Sequence, residues 1–167
     1  MSELTIRPFE RRDYPELGNW FHSLAELVQW GGPHITVPLD LRQLDDMRMD
    51  PALICRSFDL NGRLVGHGQV RFDKAADTAR LCRIGVSPEF RGWGLSQPIA
   101  RGLLGEAFAK PWVHRAELAV YTFNVAAQRA YEAIGFRAEG INRQVVRVGE
   151  DRWDQVMMSL LRPEWRG

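Results

Sequence analysis

The sequence predicts a single α/β domain built on one mixed sheet with helices on both faces, and three local patterns carry that expectation. Asn61-Gly62 sits between two apolar runs and marks a hairpin, because this dipeptide favours the type I′ turn that suits antiparallel strands. The strand-like run 79–86 passes through a glycine-rich turn into residues at helical spacing. Asn124 and Gly135 then bracket a second helical pattern as N-cap and C′ residue, with two more strand-like runs behind it.

Element by element, Leu4-Thr5-Ile6-Arg7 is a short first strand. Leu17, Trp20, Phe21, Leu24 and Val28 keep helical spacing, with Asp13 as N-cap and Pro15 in the first turn, so one helix is expected up to Gly31-Gly32-Pro33. Asp40 with Gln43 resembles a capping box and opens a short helix whose expected inner face is Leu41, Leu44 and Met47. Residues 52–72 form the hairpin, and 78–86 a third antiparallel strand beyond the polar turn Asp73 to Asp77. Leu95, Ile99, Leu103 and Phe108 mark the next helix, Glu117 to Tyr121 a strand, Asn124 to Ile134 a helix, and 137–147 with 152–161 the last hairpin. The predicted order is β-α-α-β-β-β-α-β-α-β-β, with no repeat, linker or low-complexity run.

The 167 residues are 45% hydrophobic and 26% charged, the balance of an ordinary soluble domain. Such a length removes roughly 70% of the unfolded surface from water, enough for a core without disulfides or metal. Cys55 and Cys82 have no metal-ligand spacing and lie in apolar runs, so they read as small buried hydrophobes, and no metal is expected. With 22 basic against 21 acidic side chains, the net charge of +1 is too small for the positive field of a nucleic-acid binder. Met1-Ser2-Glu3-Leu4 has no leader pattern and no apolar run approaches membrane-spanning length, so a cytoplasmic protein without membrane partners is expected, as monomer or homodimer.

Arg91-Gly92-Trp93-Gly94-Leu95-Ser96 is the segment richest in chemistry. Gly92 and Gly94 permit positive φ and leave no Cβ in the way, so the turn can aim backbone amides at one point. The helix that follows offers unpaired N–H groups at the positive end of its dipole, which together with Arg91 suits a pyrophosphate. The spacing fits neither the G-x-G-x-x-G dinucleotide turn, since Gln97 stands at the third-glycine position, nor the nucleoside triphosphate loop, since no lysine follows.

Val86 to Ser96 is similar to the acetyl-CoA signature of the GNAT family of N-acetyltransferases: arginine or glutamine, two residues, glycine, one residue, then glycine or alanine. Ser96 departs at the last position, and its small size and free amide keep cofactor binding expected. Leu118-Ala119-Val120 with Asn124, Ala127, Tyr131, Glu132 and Gly135-Phe136 resembles the family's L-x-V and N-x-x-A-x-x-x-Y-E-x-x-G-F patterns. The likeness spans most of the chain, from Thr5-Ile6-Arg7-Pro8 to Met157–Leu161. It implies a GNAT-like acyl-CoA N-acyltransferase fold and an enzyme that uses acetyl-CoA as co-substrate. By that resemblance Ile84, Gly85 and Val86 lie where two strands part and bond the pantetheine arm, and Arg91, Gly92, Trp93, Gly94, Leu95 and Ser96 take the pyrophosphate. Asn124 and Ala127 face the pantetheine or sulfur region, and Tyr131 stands at the sulfur as general acid.

The chemistry suits a tyrosine. A thioester attacked by a neutral amine needs its departing thiolate stabilised, and a hydrogen bond to a charged sulfur is worth about 1.5–3 kcal/mol, one to two decades in rate. The general base is less legible. Glu89 reads as part of an exposed turn and Glu117 as a strand start, leaving His34, His67 and His114 as alternatives. An alkyl amine needs about 4.6 kcal/mol to become neutral at pH 7 and an α-amine only about 1 kcal/mol, so a missing base tilts the expected acceptor toward an amino terminus or amino-acid-like amine.

The resemblance also implies that the segment between the first two helices and the last hairpin border the amine site. Acceptor specificity is therefore expected from Trp30 to His34 and from Asn142 to Trp153, with Trp30, His34 and Asn142 as candidate substrate residues. Trp153-Asp154 and the closing Met-Met-Ser-Leu-Leu resemble the branch that holds ribosomal-protein amino-terminal acetyltransferases, alongside small-molecule enzymes. The expected reaction moves acetyl from acetyl-CoA to a peptide or small-molecule primary amine by direct attack in a ternary complex. The alternatives are a non-catalytic acyl-CoA sensor and an unrelated nucleotide-binding α/β domain.

Overall fold

The computed structural model describes residues 3–167, running through β1 (Leu4–Pro8), α1 (Tyr14–Gly18), α2 (Leu24–Gly31), α3 (Leu41–Met49), β2 (Leu53–Leu60), β3 (Arg63–Asp73) and β4 (Thr78–Val86). It continues with α4 (Ser96–Phe108), β5 (Arg115–Tyr121), α5 (Val125–Ile134), β6 (Arg137–Val148) and β7 (Asp151–Leu161). The expected reading of the N-terminus falls partly on Met1 and Ser2, which lie outside the described residues. The strands form one seven-stranded sheet in the order β1-β2-β3-β4-β5-β7-β6. Every neighbouring pair is antiparallel except β4 and β5. Among the described residues no helix is long and apolar enough to cross a membrane.

The mixed sheet with helices on both faces stands as expected. Alternation along β2 shows why: Ile54 and Phe58 join the cluster under α4 and α5, while Leu53 and Cys55 join the cluster under the N-terminal helices. Cys55 and Cys82 are free thiols, and burial pushes that of Cys55 up to about 12. On β3, glycines let α4 approach closely. A Cβ at Gly68 would lie 2.4 Å from Cδ1 of Leu103 and 3.2 Å from its Cγ, and Leu103 is fully buried. Leu103 must shift within a fully packed interior to admit that Cβ, so Gly68→Ala is expected to lower stability by about 1–3 kcal/mol. Urea denaturation checks this; an unchanged midpoint would show that α4 has room to shift.

Three expectations are corrected. The single helix expected from Asp13 to Gly31 is two helices: α1 ends at Gly18, and Ser23 caps α2 by accepting a hydrogen bond from the Glu26 N–H. Gly18 and Asn19 are poor helix formers, and the Ser23–Glu26 pair opens a fresh N-terminus. Asp13 makes no side-chain cap; it is 4% exposed, and its carboxylate accepts from Arg7, from the Ser57 hydroxyl and from the Glu10 N–H. Leu41, expected on the inner face of its helix, is 67% exposed. Asp40 does cap α3 through the Gln43 N–H, but the Gln43 side chain turns away to hold the backbones of Thr36 and Pro38.

Candidate functional site

β4 and β5 pair only at Thr78–Arg115, Ala79–Ala116 and Arg80–Glu117, and beyond Arg80 the two strands part. The opening holds a cleft of about 640 Å³ walled by α2, the last residues of β4, the turn 90–97 and α5. Its volume and mixed polar and apolar lining fit a small-molecule site. Of the residues named from sequence, Ile84, Gly85, Val86, Arg91, Gly92, Gly94, Leu95, Ser96, Asn124, Ala127, Tyr131 and Trp30 line this one cleft. Trp93 does not: it is 65% exposed and packs edge-on against Phe90 at 5.2 Å.

The turn has the backbone that the sequence required. Gly92 and Gly94 adopt φ of +82° and +76°, and a Cβ added at either would meet nothing within 4 Å. The N–H groups of Arg91 and Trp93 close the turn onto Pro88 and Phe90. Those of Gly92, Gly94, Leu95, Ser96 and Gln97 have no hydrogen-bond partner among the described residues. Pro98 adds no further donor, so the free amides gather at the α4 N-terminus, where the dipole favours an anion.

Across the cleft, Asn124 caps α5 by accepting from the Ala127 N–H at 3.2 Å, which sets the helix that carries Tyr131. Tyr131 is 8% exposed, packs edge-on to Phe136 and has no hydrogen-bond partner for its hydroxyl among the described residues. Burial pushes its phenol up to about 12, so it keeps its proton throughout the neutral range.

At the other end Trp30 serves both as buried helix end and as cleft wall. Its indole N–H donates to the Arg83 carbonyl at 2.9 Å, and Phe21 stacks on it at 4.8 Å. Gly85 permits this seating, since a Cβ there would stand 3.1 Å from Cδ1 of Trp30.

The candidate bases are scattered. His67 is fully buried, accepts a hydrogen bond from Gln69, and is pushed down to about 3 by burial and then by Arg83, so it stays neutral and out of reach of substrate. His34 lies in a separate recess of about 180 Å³ beside Gln43 and Arg83, because Gln43 clamps the loop 36–38 onto α3. His114 precedes β5, at the end of that strand remote from the cleft. Glu89 pairs with Arg63 on the surface, and Glu117 with Arg115. Asn142 is exposed on β6 opposite Gln155 and does not line the cleft.

One acidic residue overlooked in the sequence does line it: Glu26. It stands four residues before Trp30 on α2, and that spacing on a helix was the signal that both share a face. The sequence alone aims no acidic residue at the amine, whereas Glu26 is a carboxylate among the residues lining the cleft.

Comparison with known proteins follows the same lines. The model of the acetyltransferase (GNAT) family matches residues 11–136. A curated relative, the uncharacterized N-acetyltransferase YnaD of Bacillus subtilis (strain 168), is 25% identical over 79 residues. That stretch is 47% of this chain and 46% of the relative, so the match spans about half of each. Spermidine N-acetyltransferase from Vibrio cholerae, solved with CoA and spermine, superposes with a TM-score of 0.84 at 22% identity over 96% of both chains. The ribosomal-protein-S18-alanine N-acetyltransferase from Escherichia coli superposes with a TM-score of 0.72 at 21% identity, covering 99% of this chain and 96% of its own. These two establish the shared fold and favour neither kind of acceptor.

Proposed function

Because the chain belongs to the acetyltransferase (GNAT) family, we propose that it is an acetyl-CoA-dependent N-acetyltransferase acting on a primary amine. The observation that carries this reading is one cleft lined both by Gly92, Gly94, Leu95, Ser96 and Gln97, whose amides have no partner among the described residues, and by Tyr131, whose hydroxyl has none among them either. In it the diphosphate rests on those amides with Arg91 beside it. The pantetheine arm lies along Ile84, Gly85 and Val86, where β4 has lost its β5 partner.

The neutral amine attacks the thioester carbonyl and forms the C–N bond, the C–S bond breaks, and sulfur leaves with the electron pair as a thiolate. The nitrogen, positively charged after attack, gives one proton to water. Tyr131 donates a hydrogen bond to that sulfur. With the phenol near 12 and a thiol near 8.5, complete transfer of its proton is uphill by roughly 5 kcal/mol, so stabilisation by the bond is the main effect. The Tyr131 side chain lining the cleft favours this reading over a non-catalytic acyl-CoA sensor.

The test is release of free thiol when the protein is incubated with acetyl-CoA and a panel of amines. Tyr131→Phe is expected to lower kcat about 10- to 100-fold while CoA affinity stays within about twofold, because a single charge-assisted bond is lost and the ring packing kept. With its high phenol value, Tyr131 itself contributes no alkaline fall in rate between pH 7 and 10. Unchanged turnover in the phenylalanine variant would remove Tyr131 from the chemistry.

A further inference from the structure

We infer that Glu26 is the residue that recognises the acceptor: its carboxylate pairs with the ammonium as it docks, that ammonium gives a proton to water to become the neutral nucleophile, and the same carboxylate excludes acceptors carrying a carboxylate close to that amine. This rests on the acetyl-transfer reading above. Among the cleft-lining residues Glu26 is the sole acid, and Arg91, at the turn proposed for the diphosphate, is the sole base. The cleft therefore has opposite charges on different elements, one on α2 and one on the turn before α4, matching a ligand pair of which one is an anion and the other a cation.

The surroundings of Glu26 suit an ammonium. Phe21 and Trp30, stacked at 4.8 Å, line the same end of the cleft, and aromatic faces next to a carboxylate attract cations. The carboxylate is also fixed rather than free to wander: Oε2 accepts the His22 N–H at 2.6 Å, which holds the side chain at the α2 N-terminus. Oε1 has no partner among the described residues. Trp30, one turn further along α2, is itself pinned to β4 through its bond to the Arg83 carbonyl, so the acceptor end is set against the strand proposed to hold the pantetheine arm.

The experiment compares acceptors of near-equal basicity that differ by one carboxylate, such as butylamine against 4-aminobutyrate, and a peptide amino terminus against the same peptide with aspartate at its second position. Wild-type protein is expected to prefer the member without the added carboxylate at least about tenfold in kcat/KM. Glu26→Gln keeps a carbonyl oxygen for the His22 N–H, so folding and CoA affinity by calorimetry should be retained. Its KM for cationic acceptors is expected to rise about 10- to 100-fold, the range for loss of a charged hydrogen bond, with the preference within each pair narrowed and Glu26→Asp partly restoring both. If wild type turns acceptors over but Glu26→Gln has the same KM and the same preference, the assignment of Glu26 is wrong and the enzymatic reading stands. If wild type releases no thiol with any acceptor, both fall together.

Discussion

Gly94→Ala is expected to weaken CoA binding about 10- to 100-fold, and the Gly92→Ala, Gly94→Ala double variant further still. Both glycines hold φ in the left-handed region, where a side chain costs about 1–2 kcal/mol per residue. The chain escapes that cost by rotating the peptide, which turns the Gly94 and Leu95 N–H groups out of alignment. Each such amide meeting a phosphate oxygen is worth about 1.5–3 kcal/mol, so misaligning one or two accounts for the expected loss. Because a Cβ added at either position would meet nothing within 4 Å among the described residues, the melting temperature should change far less than the affinity. Calorimetric titration with CoA, run beside thermal melts, separates the two effects. A Gly94→Ala protein that binds as tightly as wild type would mean the turn is not the anion site.

Asp13→Ala should be the most damaging substitution for stability, at about 3–5 kcal/mol, the usual cost of stripping one partner from a buried pair. Asp13 is 4% exposed and ties three segments together: Arg7 on β1 at 2.8 Å, the Ser57 hydroxyl on β2 at 2.8 Å, and the Glu10 N–H at 3.0 Å. Burial acts to raise its carboxyl, but the bonds from Arg7, Glu10 and Ser57 outweigh it and hold the group below its ordinary value. A folded-state value below the unfolded one means the stabilisation is complete above about pH 4 and is lost as pH falls through the folded value. The deficit of Asp13→Ala relative to wild type should therefore be largest at neutral pH and shrink under acid. Glu139, held down to about 2 by Arg115 and then Ser159, adds to the acid sensitivity of both proteins with the same sign. Urea titrations at pH 7 and pH 3 check this; a deficit that grows on acidification would contradict it.

What the sequence made legible was local. Asn61 and Gly62 take φ of +52° and +76° as the type I′ turn demands, and Gly135 closes α5 at φ +119°. The Asn124 cap needs only its own side chain and the Ala127 N–H three residues on. Gly92 and Gly94 announce their turn because no other residue adopts it freely. The rest depended on partners distant in sequence. The helical spacing of Leu17, Trp20 and Leu24 runs across the break at Gly18–Asn19, and periodicity alone joined the two pieces: Leu17 and Trp20 share a buried cluster with Leu27 and Trp30 of α2, whereas Leu24 is 45% exposed. Asp13 reads as a cap until Ser57, 44 residues away, and Arg7 are seen around it. His34 and Asn142 were placed by resemblance in segments whose course is set by the Gln43 clamp and by the irregular register of β6 after Asn142. Glu26 was legible in principle from its spacing to Trp30, but only once Trp30 was taken as a cleft wall.

A crystal structure with bound CoA tests the central claim most directly. The account predicts the diphosphate within hydrogen-bond distance of the N–H groups between Gly92 and Gln97, the pantetheine arm along Ile84–Val86 in the gap between β4 and β5, and the sulfur beside the Tyr131 hydroxyl. A diphosphate bound away from that turn, or a sulfur remote from Tyr131, would contradict it.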